Sequence, residues 1–275
     1  NSRALVCVDC RKAPECPRCS VRLTYHSANN RLMCHYCGFS QPVPERCPAC
    51  GGPLKTIGTG TQKVQEELEF LFPDMETDRM DADTVSAVNT HEKILEHFQK
   101  ENVPVLLGTQ MVAKGLNLPN VTLVGVLDAD LSLYTGGYLA GETTFNMLTQ
   151  VVGRAGRGDS PGKAIIQTMV PDHQVIRYAA EQDYDGFYDM EIALRELRNV
   201  PPFRDLFTVT FTGLFEEHVR AAAKRFRDAL AMNLRQSPYA GMEFDLLGPA
   251  PAAIAKVNYT YRYRATLSCK NTKEI

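Results

Sequence analysis

Four Cys-x-x-Cys pairs, all within residues 7–50, constrain this chain more than any other feature of its sequence; they hold eight of its nine cysteines. Two thiolates at this spacing can bind one metal ion from a single tight turn, and two such turns complete a tetrahedral site. Because four thiolates leave no open coordination position, we expect two structural Zn²⁺ ions and no catalytic metal. The expected ligands are Cys7, Cys10, Cys16, Cys19, Cys34, Cys37, Cys47 and Cys50.

The distances between the pairs favour a nested grouping. Fourteen residues separate the second pair from the third, which is enough for a β-hairpin with strands over 23–26 and 31–33 and is close to the spacing of a zinc ribbon. The first and fourth pairs would then share the other ion. A sequential grouping, in which neighbouring pairs share an ion, stays open, although the five residues between the first and second pairs would form a cramped loop.

Two other interpretations of the cysteines are weaker. A disulfide framework does not require strict Cys-x-x-Cys pairs, and nothing in the sequence is typical of a secreted protein. A redox role would be unusual for four adjacent copies of the pair. Gly38 and Gly51 follow the second cysteine of their pairs, where a positive φ is often needed. We interpret His26 and His35 as surface residues and Cys269 as a buried strand thiol.

The charge of the chain is close to balanced. Its net charge is −2 and its pI is about 6.3, which exclude a uniformly basic coat but not a local basic patch. Residues 1–56 contain eight Lys and Arg residues against three Asp and Glu residues, and two tetrathiolate zinc centres at about −2 each would offset most of that surplus. No apolar run approaches the roughly 18 residues that a membrane helix needs. The first residue is Asn and not Met, so we expect a fragment or a processed product.

Alternating α and β patterns begin after residue 56. Helices are predicted over 63–72, 87–100 and 143–152, and apolar runs over 103–107 and 121–127 are typical of strands buried on both faces. A further strand is predicted over 163–169. We expect an α/β domain over 57–170, between a two-zinc module at 1–56 and a C-terminal α+β domain at 171–275.

Three loops of the middle domain are candidates for ligand binding. Gly58-Thr-Gly-Thr61 precedes a predicted helix and suits a phosphate, although Thr61 is equally suited to cap that helix. The segment from Gly108 to Gly115 follows a strand end, where α/β sheets bind ligands. The third loop, from Gln150 to Gly158, ends a helix with Arg154 and Arg157, which we expect on one helical face.

The last hundred residues predict a β-α-β-β arrangement. The predicted elements are helices over 187–198 and 216–234 and strands over 206–212, 244–247 and 259–267. Tyr259, Tyr261, Arg262, Tyr263 and Arg264 interleave aromatic and basic side chains in the last strand. Two interpretations stay open for them, stacking on nucleic acid or packing against the helix.

The sequences GTQMVAKG and QVVGRAGR resemble motifs V and VI in the second motor lobe of superfamily 2 helicases. The cysteine pairs, GTGTQKVQEEL, RMDADT, VPPF and GPAPA make the similarity closer, to the primosomal protein N′ (PriA) family of replication-restart DNA helicases. This resemblance covers essentially the whole chain. It implies a RecA-like second lobe with an inserted two-zinc module, nested zinc ligation, and a C-terminal domain like ribosomal protein S10.

The resemblance also implies an activity and its partners. The intact protein would be an ATP-driven 3′→5′ helicase that uses Mg²⁺, recognises stalled forks and D-loops, and initiates primosome assembly. Its partners would be forked and single-stranded DNA, single-strand-binding protein, primosome proteins and the machinery that loads the replicative helicase. It would be a cytoplasmic, nucleoid-associated bacterial protein with no membrane contact.

Residue roles follow from the matched motifs. The resemblance makes Arg157 the arginine finger, with Arg154 and Gln150 coupling the γ-phosphate to lobe closure, and it places Gly115 and Asn117 at the nucleotide sugar. Asn117 and Leu118 replace the Asp-Phe that is more usual after the motif V glycine. The candidates for contact with the DNA backbone are Thr59, Thr61, Thr109, Gln110 and Lys114.

The sequence contains neither a G-x-x-x-x-G-K-[ST] motif nor an acidic Walker B box. We therefore expect this chain by itself to be inactive as an ATPase and as a helicase. One alternative function is a zinc-ribbon scaffold that binds nucleic acid or protein, which leaves the two helicase motifs unexplained. Another is a superfamily 2 motor that acts on RNA, which ATPase stimulation by RNA alone would indicate.

Overall fold

The computed structural model describes most of the chain as two compact units. One unit joins residues 1–60 to residues 199–275, and the other comprises residues 61–198. The three-domain division expected from the sequence stays a prediction. The described residues are 3–26, 29–57, 60–81, 90–109, 112, 118, 120–156, 162–236 and 239–270.

The cysteine-rich part of the first unit forms a five-stranded antiparallel sheet in the order β4-β3-β2-β1-β5. The predicted hairpin is confirmed as β2 and β3. Gly38 and Gly51 have φ angles of 70° and 75°, as expected from their place after a cysteine pair. The strands are β1 Arg3–Cys7, β2 Thr24–His26, β3 Arg31–Met33, β4 Ser40–Pro42 and β5 Leu54–Ile57.

The C-terminal part of this unit has the predicted β-α-β-β order. A three-stranded antiparallel sheet in the order β10-β12-β11 packs against one long helix, with Val219, Ala223 and Tyr263 at the centre of their contact. The elements are β10 Asp205–Gly213, the helix Glu216–Leu234, β11 Phe244–Val257 and β12 Thr260–Cys269. Cys269 is fully buried in β12, as expected.

Strand β11 continues well beyond the predicted end at residue 247. The added length includes Pro249 and Pro251, which cannot donate to a strand ladder. Two register shifts, between Leu247 and Ala250 and between Pro251 and Lys256, let the strand continue. Its position at the edge of the sheet is where proline is tolerated.

The second unit contains two parallel strand pairs, β6-β7 and β8-β9, and six α-helices within its described residues. The strands are β6 Thr77–Met80, β7 Val105–Gly108, β8 Leu123–Val126 and β9 Lys163–Ile166. The helices are α1 Thr61–Leu71, α2 Thr90–Lys100, α3 Asp130–Leu133, α4 Ala140–Val152, α5 Gln174–Glu181 and α6 Tyr184–Leu197, so that Glu216–Leu234 of the first unit is α7.

Helices α4, α5 and α6 form the core of the second unit. Phe145 of α4 stacks on Phe187 of α6, with ring centroids 4.0 Å apart. Arg195 of α6 bridges the same two helices through Glu142 of α4 at 2.6 Å, and it also pairs with Glu191 of its own helix at 2.8 Å. These contacts pack residues 174–197 against the preceding α/β segment, within the unit that ends at residue 198. The buried members of the core are Ala129, Phe145, Leu148, Val175, Ile176, Ala179 and Phe187.

Helix α5 was missed by sequence reasoning. It is only eight residues long, and His173 rather than a typical capping residue accepts the Val175 N–H at its start. Gln182 ends it with a left-handed φ of 55°.

The expectation that the strand over 121–127 is buried on both faces is wrong. Leu123 of β8 is 58% exposed, and exposed and half-buried residues alternate along this strand. In the described ranges, no helix has the length and apolar character needed to cross a bilayer.

Candidate metal centres and helicase loops

The first cysteine cluster is formed by two tight turns, one at the end of β1 and the other just before β5. The Cys7 and Cys50 sulfurs are 3.4 Å apart, and those of Cys10 and Cys47 are 3.7 Å apart. The two turns use the same backbone bonds, since Arg11 N–H donates to Cys7 O at 3.1 Å and Gly51 N–H donates to Cys47 O at 2.8 Å. Arg11 has a φ of 60°, which lies in the same left-handed region as the φ of 75° at Gly51.

The second cluster lies inside the apolar core of the cysteine module. It joins the second and third pairs, Cys16 with Cys19 and Cys34 with Cys37. The Cys16 and Cys37 sulfurs are 3.6 Å apart. Leu5, Leu23 and Leu32 are buried around them. The structure thus brings the pairs together in the nested arrangement and not in sequential order.

Both clusters fit a zinc ion. Within each cluster, all four sulfurs lie within 4.8 Å of one another, and a tetrahedral site with Zn–S of about 2.3 Å needs sulfurs about 3.8 Å apart. All eight thiols are free. The three sulfur–sulfur distances given above, 3.4–3.7 Å, are far longer than an S–S bond of about 2.05 Å. The ligand set is therefore that of a closed structural site.

The cysteines of the two clusters differ in acidity. Donation from the Ala49 N–H, 3.4 Å from Cys47 Sγ, lowers the pKa of Cys47 to about 7. Burial raises the pKa of Cys19 to about 12, against the effect of a backbone N–H from Asn258. Metal binding must consequently displace protons from the sulfurs.

The turn between β11 and β12 contacts the second cluster directly. Asn258 N–H donates to Cys19 Sγ at 3.2 Å, and Tyr259 N–H donates to Arg18 O at 2.8 Å. Ser20 Oγ accepts the Lys256 N–H at 2.8 Å. Val257 packs against the core of the module. We call residues 256–259 the hairpin tip; no sequence signal pointed to this contact.

The end of the first candidate loop contacts a buried carboxylate that sequence reasoning did not assign. Thr61, at the start of α1, donates its hydroxyl to Asp81 Oδ2. Asp81 is fully buried, and Arg79 Nε lies 3.1 Å from the same oxygen. The RMDADT motif contains both Arg79 and Asp81 and was the available signal. Thr59 lies outside the described residues.

The second loop begins at the end of β7. Thr109 is exposed there, and its carbonyl accepts the Val112 N–H at 3.0 Å. A Cβ added to Gly108 would overlap Val112 and lie 3.0 Å from the Met80 carbonyl. Glycine at position 108 is thus required for the chain to pass this close to Val112 and to the Met80 carbonyl. The predicted residues Gln110, Lys114, Gly115 and Asn117 lie outside the described residues.

The third loop follows α4. Gln150 is exposed in the last turn of that helix. Arg154 lies beyond the helix, which ends at Val152, so the expectation that Arg154 and Arg157 share a helical face is wrong; Gly153 ends the helix and Gly156 takes a φ of 76°. Arg157 lies outside the described residues.

Close backbone contacts are found at residues 156 and 162, near the end of that loop and just beyond it. Gly156 N–H donates to Val121 O at 3.0 Å, just before β8. A Cβ added to Gly162 would overlap the backbone of Ala155 and Gly156. Residues 156 and 162, on either side of the segment that contains Arg157, are therefore in direct backbone contact.

The aromatic and basic residues of β12 divide between the two interpretations. Tyr263 is buried against α7 and donates its hydroxyl to Glu216 at 2.9 Å, which favours packing for this residue. Glu216 also raises the pKa of Tyr263 through that bond. Arg264 is exposed, and Tyr259 is 54% exposed in the hairpin tip.

Three protein-family models match successive parts of the chain. Residues 16–42 match the PriA DNA helicase Cys-rich region (CRR) domain. Residues 57–159 match the Helicase conserved C-terminal domain, and residues 196–274 match the Primosomal protein N C-terminal domain. The chain is therefore of the class that combines a helicase C-terminal domain with a cysteine-rich zinc ribbon.

Relatives in several bacteria carry the name Replication restart protein PriA. The Bacillus subtilis protein is 42% identical over 277 residues, which cover 100% of this chain and 33% of the relative. The proteins of Synechocystis and Treponema pallidum are 40% and 36% identical, over 96% and 97% of this chain and 32% and 40% of their own lengths. The chain thus spans about a third of the length of these relatives. It belongs to the PriA family of replication restart proteins.

Proposed function

We propose that this chain is part of an ATP-driven 3′→5′ DNA helicase that recognises stalled replication forks and D-loops and initiates primosome assembly. The observation that carries the proposal is the presence, in one chain, of a match to a helicase C-terminal domain between matches to two PriA-specific domains. A scaffold without motor activity would not require the loops that match helicase motifs.

In this proposal residues 57–170 are a RecA-like second lobe, residues 1–56 are a two-zinc module and residues 171–275 are an S10-like domain. The parallel strand pairs and the β-α-β-β order of the last segment support these assignments. Each Zn²⁺ is structural and is held by one of the two cysteine clusters. The protein acts at the nucleoid because its substrate is chromosomal DNA.

The ATP site is completed by the third loop. Arg157 stabilises the charge that develops on the transferred phosphoryl group, a contribution of about 10³–10⁵ in rate for arginine fingers. Arg154 and Gln150 couple the γ-phosphate to lobe closure, and Gly115 and Asn117 contact the nucleotide sugar. Mg²⁺ with ATP supplies neutralisation of the phosphate charge in the intact enzyme.

DNA is held through its backbone. Thr59, Thr61, Thr109, Gln110 and Lys114 contact phosphates and therefore carry no sequence preference. The exposure of Thr109 at the end of β7 supports this role. The Thr61 hydroxyl donates to Asp81 and would have to leave that carboxylate before it could donate to a phosphate oxygen.

The cysteine module contains a basic pocket, apart from the DNA contacts proposed for the helicase segment. A pocket of about 430 Å³ beside Cys47 is lined by Arg11, Lys12 and Arg22 against a single carboxylate, Glu15. We assign phosphate contact at the fork to this pocket. Single-strand-binding protein, primosome proteins and the loader of the replicative helicase are the protein partners in this proposal.

The arginine finger is tested in the intact protein. Arg157→Ala should abolish unwinding of forked DNA and lower ATPase activity stimulated by single-stranded DNA by at least about 10³-fold, since the finger acts on the transition state. DNA binding should stay unchanged. The matched control is Arg177→Ala, which removes an exposed arginine of α5 that has no place in the proposed site. ATPase activity that responds only to RNA would contradict the proposal.

The 275-residue chain should by itself neither hydrolyse ATP nor unwind DNA, because it contains no Walker A motif. Phosphate release in the presence and absence of single-stranded DNA measures this. Turnover above the background of the Arg157→Ala chain would show that these residues suffice for hydrolysis.

A further inference from the structure

His26 and His35 lie side by side on the surface of the cysteine module. Their Nε2 atoms are 3.2 Å apart, and their ring centroids are 5.0 Å apart at an angle of 52°. His35 is exposed and His26 is half-buried. Neither residue is a ligand of the two cysteine clusters.

The distance between the two nitrogens matches the bite of one metal ion. An ion bound to imidazole at about 2.0–2.1 Å places the two nitrogens about 3.3–3.4 Å apart at tetrahedral angles, and about 2.8–3.0 Å apart at the right angles that Ni²⁺ and Cu²⁺ prefer. The observed 3.2 Å lies between these values. The angle between the rings excludes face-to-face stacking as the reason for the approach. From this geometry we propose a third metal site on the chain, in which His26 and His35 bind one divalent transition-metal ion through their Nε2 atoms.

The backbone holds both ligands in place before the ion arrives. His26 pairs with Arg31 at the end of the β2–β3 hairpin. His35 lies between Cys34 and Cys37, in a turn fixed by donation from Gly38 N–H to Cys34 O at 2.9 Å and from Cys34 N–H to Phe39 O at 2.8 Å. The second cysteine cluster therefore positions one ligand of the new site.

The donor set determines which ion the site takes and how tightly. Neutral imidazole suits Zn²⁺, Ni²⁺ and Cu²⁺, whereas Mg²⁺ and Ca²⁺ prefer oxygen ligands. Because the described residues supply only His26 and His35 as ligands, water fills the remaining positions, so the ion exchanges readily while the tetrathiolate sites keep theirs. The site is distinct from the proposed ATP and DNA contacts of the helicase segment.

The same separation also allows one imidazole to donate a hydrogen bond to the other, so the test must separate a metal site from a hydrogen bond. Glutamine is the informative substitution, since its amide can still hydrogen-bond to the remaining ring but is a poor ligand. The protein is loaded with its two structural zinc ions and then dialysed against Ni²⁺ in a buffer that does not chelate metals. Nickel and zinc per chain are then measured by plasma mass spectrometry.

Wild-type protein should bind about one more nickel per chain than either His26→Gln or His35→Gln, and all three should keep two zinc ions. The matched control is His218→Gln, which changes a histidine of α7 far along the sequence and should leave the nickel content at the wild-type value. Equal nickel in wild type and both variants would overturn the proposal.

X-ray absorption of the nickel-loaded wild type gives a test that does not depend on the folding of a variant. Two imidazole nitrogens in the nickel coordination shell are the expected result. Sulfur ligands would show that nickel had entered the cysteine clusters, and a shell of oxygen alone would show nonspecific binding. Either result would overturn the proposal even if a variant had lost its zinc.

Discussion

At the scale of single residues, the helicase segment depends on positions where a side chain cannot be accommodated. Gly108 ends β7 in direct contact with Val112, and Gly162 lies against the backbone of Ala155 and Gly156. These two glycines border the segments that contain the predicted ribose contacts and the arginine finger. At both positions, glycine allows the close backbone packing that borders a loop proposed to bind nucleotide or DNA.

Gly108→Ala should displace the loop that follows β7. The new methyl group would overlap Val112, whose β-branched side chain has little rotamer freedom, and would lie 3.0 Å from the Met80 carbonyl. We expect a loss of about 1–3 kcal/mol in the free energy of unfolding and weaker binding of DNA by the intact protein. Urea unfolding and fluorescence anisotropy with single-stranded DNA measure the two effects.

Gly125→Ala is the matched control, because a Cβ at that position meets nothing within 4 Å. It should leave DNA binding within error of wild type. Unchanged DNA binding in Gly108→Ala would show that the loop after β7 does not contact the strand.

At the scale of elements, the hairpin tip joins the C-terminal sheet to the second cysteine cluster. Its backbone N–H groups donate to Cys19 Sγ and Arg18 O. A sulfur that receives an N–H hydrogen bond is more easily held as a thiolate. The tip therefore favours metal binding at the second cluster.

Val257→Ala should loosen this contact. The substitution removes apolar surface packed against the core of the cysteine module, at a cost of about 1 kcal/mol. The backbone amides of Asn258 and Tyr259 should exchange with solvent faster, as measured by hydrogen exchange with mass spectrometry. Val209→Ala, at an exposed valine of β10, is the control and should leave the exchange of the tip unchanged. Equal exchange in both variants would contradict a role for Val257 in docking.

At the scale of the whole molecule, metal content reports on the nested clusters. We expect two zinc ions per chain by plasma mass spectrometry, and a value near one would contradict two separate tetrathiolate sites. Acidification should release the zinc. Burial raises the pKa of the Cys19 thiol to about 12, so a proton occupies this sulfur whenever the metal leaves, and lower pH favours the protonated state.

A chelator competition at pH 6 and pH 8 measures this dependence. Apparent zinc affinity should be lower at pH 6, and loss of zinc should impair the handling of forked DNA by the intact protein more than ATP hydrolysis. Affinity that does not change with pH would mean that zinc displaces no protons.

Much of this architecture could be predicted because its signals are local. Cysteine spacing alone favoured the grouping that the structure has, and helix α7 begins and ends at the predicted residues. The errors have a different origin. Arg154 was placed on a helix because the periodic pattern does not show where Gly153 ends it. The contact of Asn258 with Cys19 joins residues 239 positions apart, and no local pattern encodes it.

That separation also sets an order of events during synthesis. All eight cluster cysteines are made before residue 51, whereas the hairpin tip emerges from the ribosome 239 residues after Cys19. At about 5–20 residues per second the delay is roughly 10–50 s. During this interval the nascent cysteine module can acquire zinc while the surface later covered by Val257 is still open. The order of synthesis thus allows metal loading before capping by the last hairpin, and a chain released before residue 256 would leave this surface uncovered.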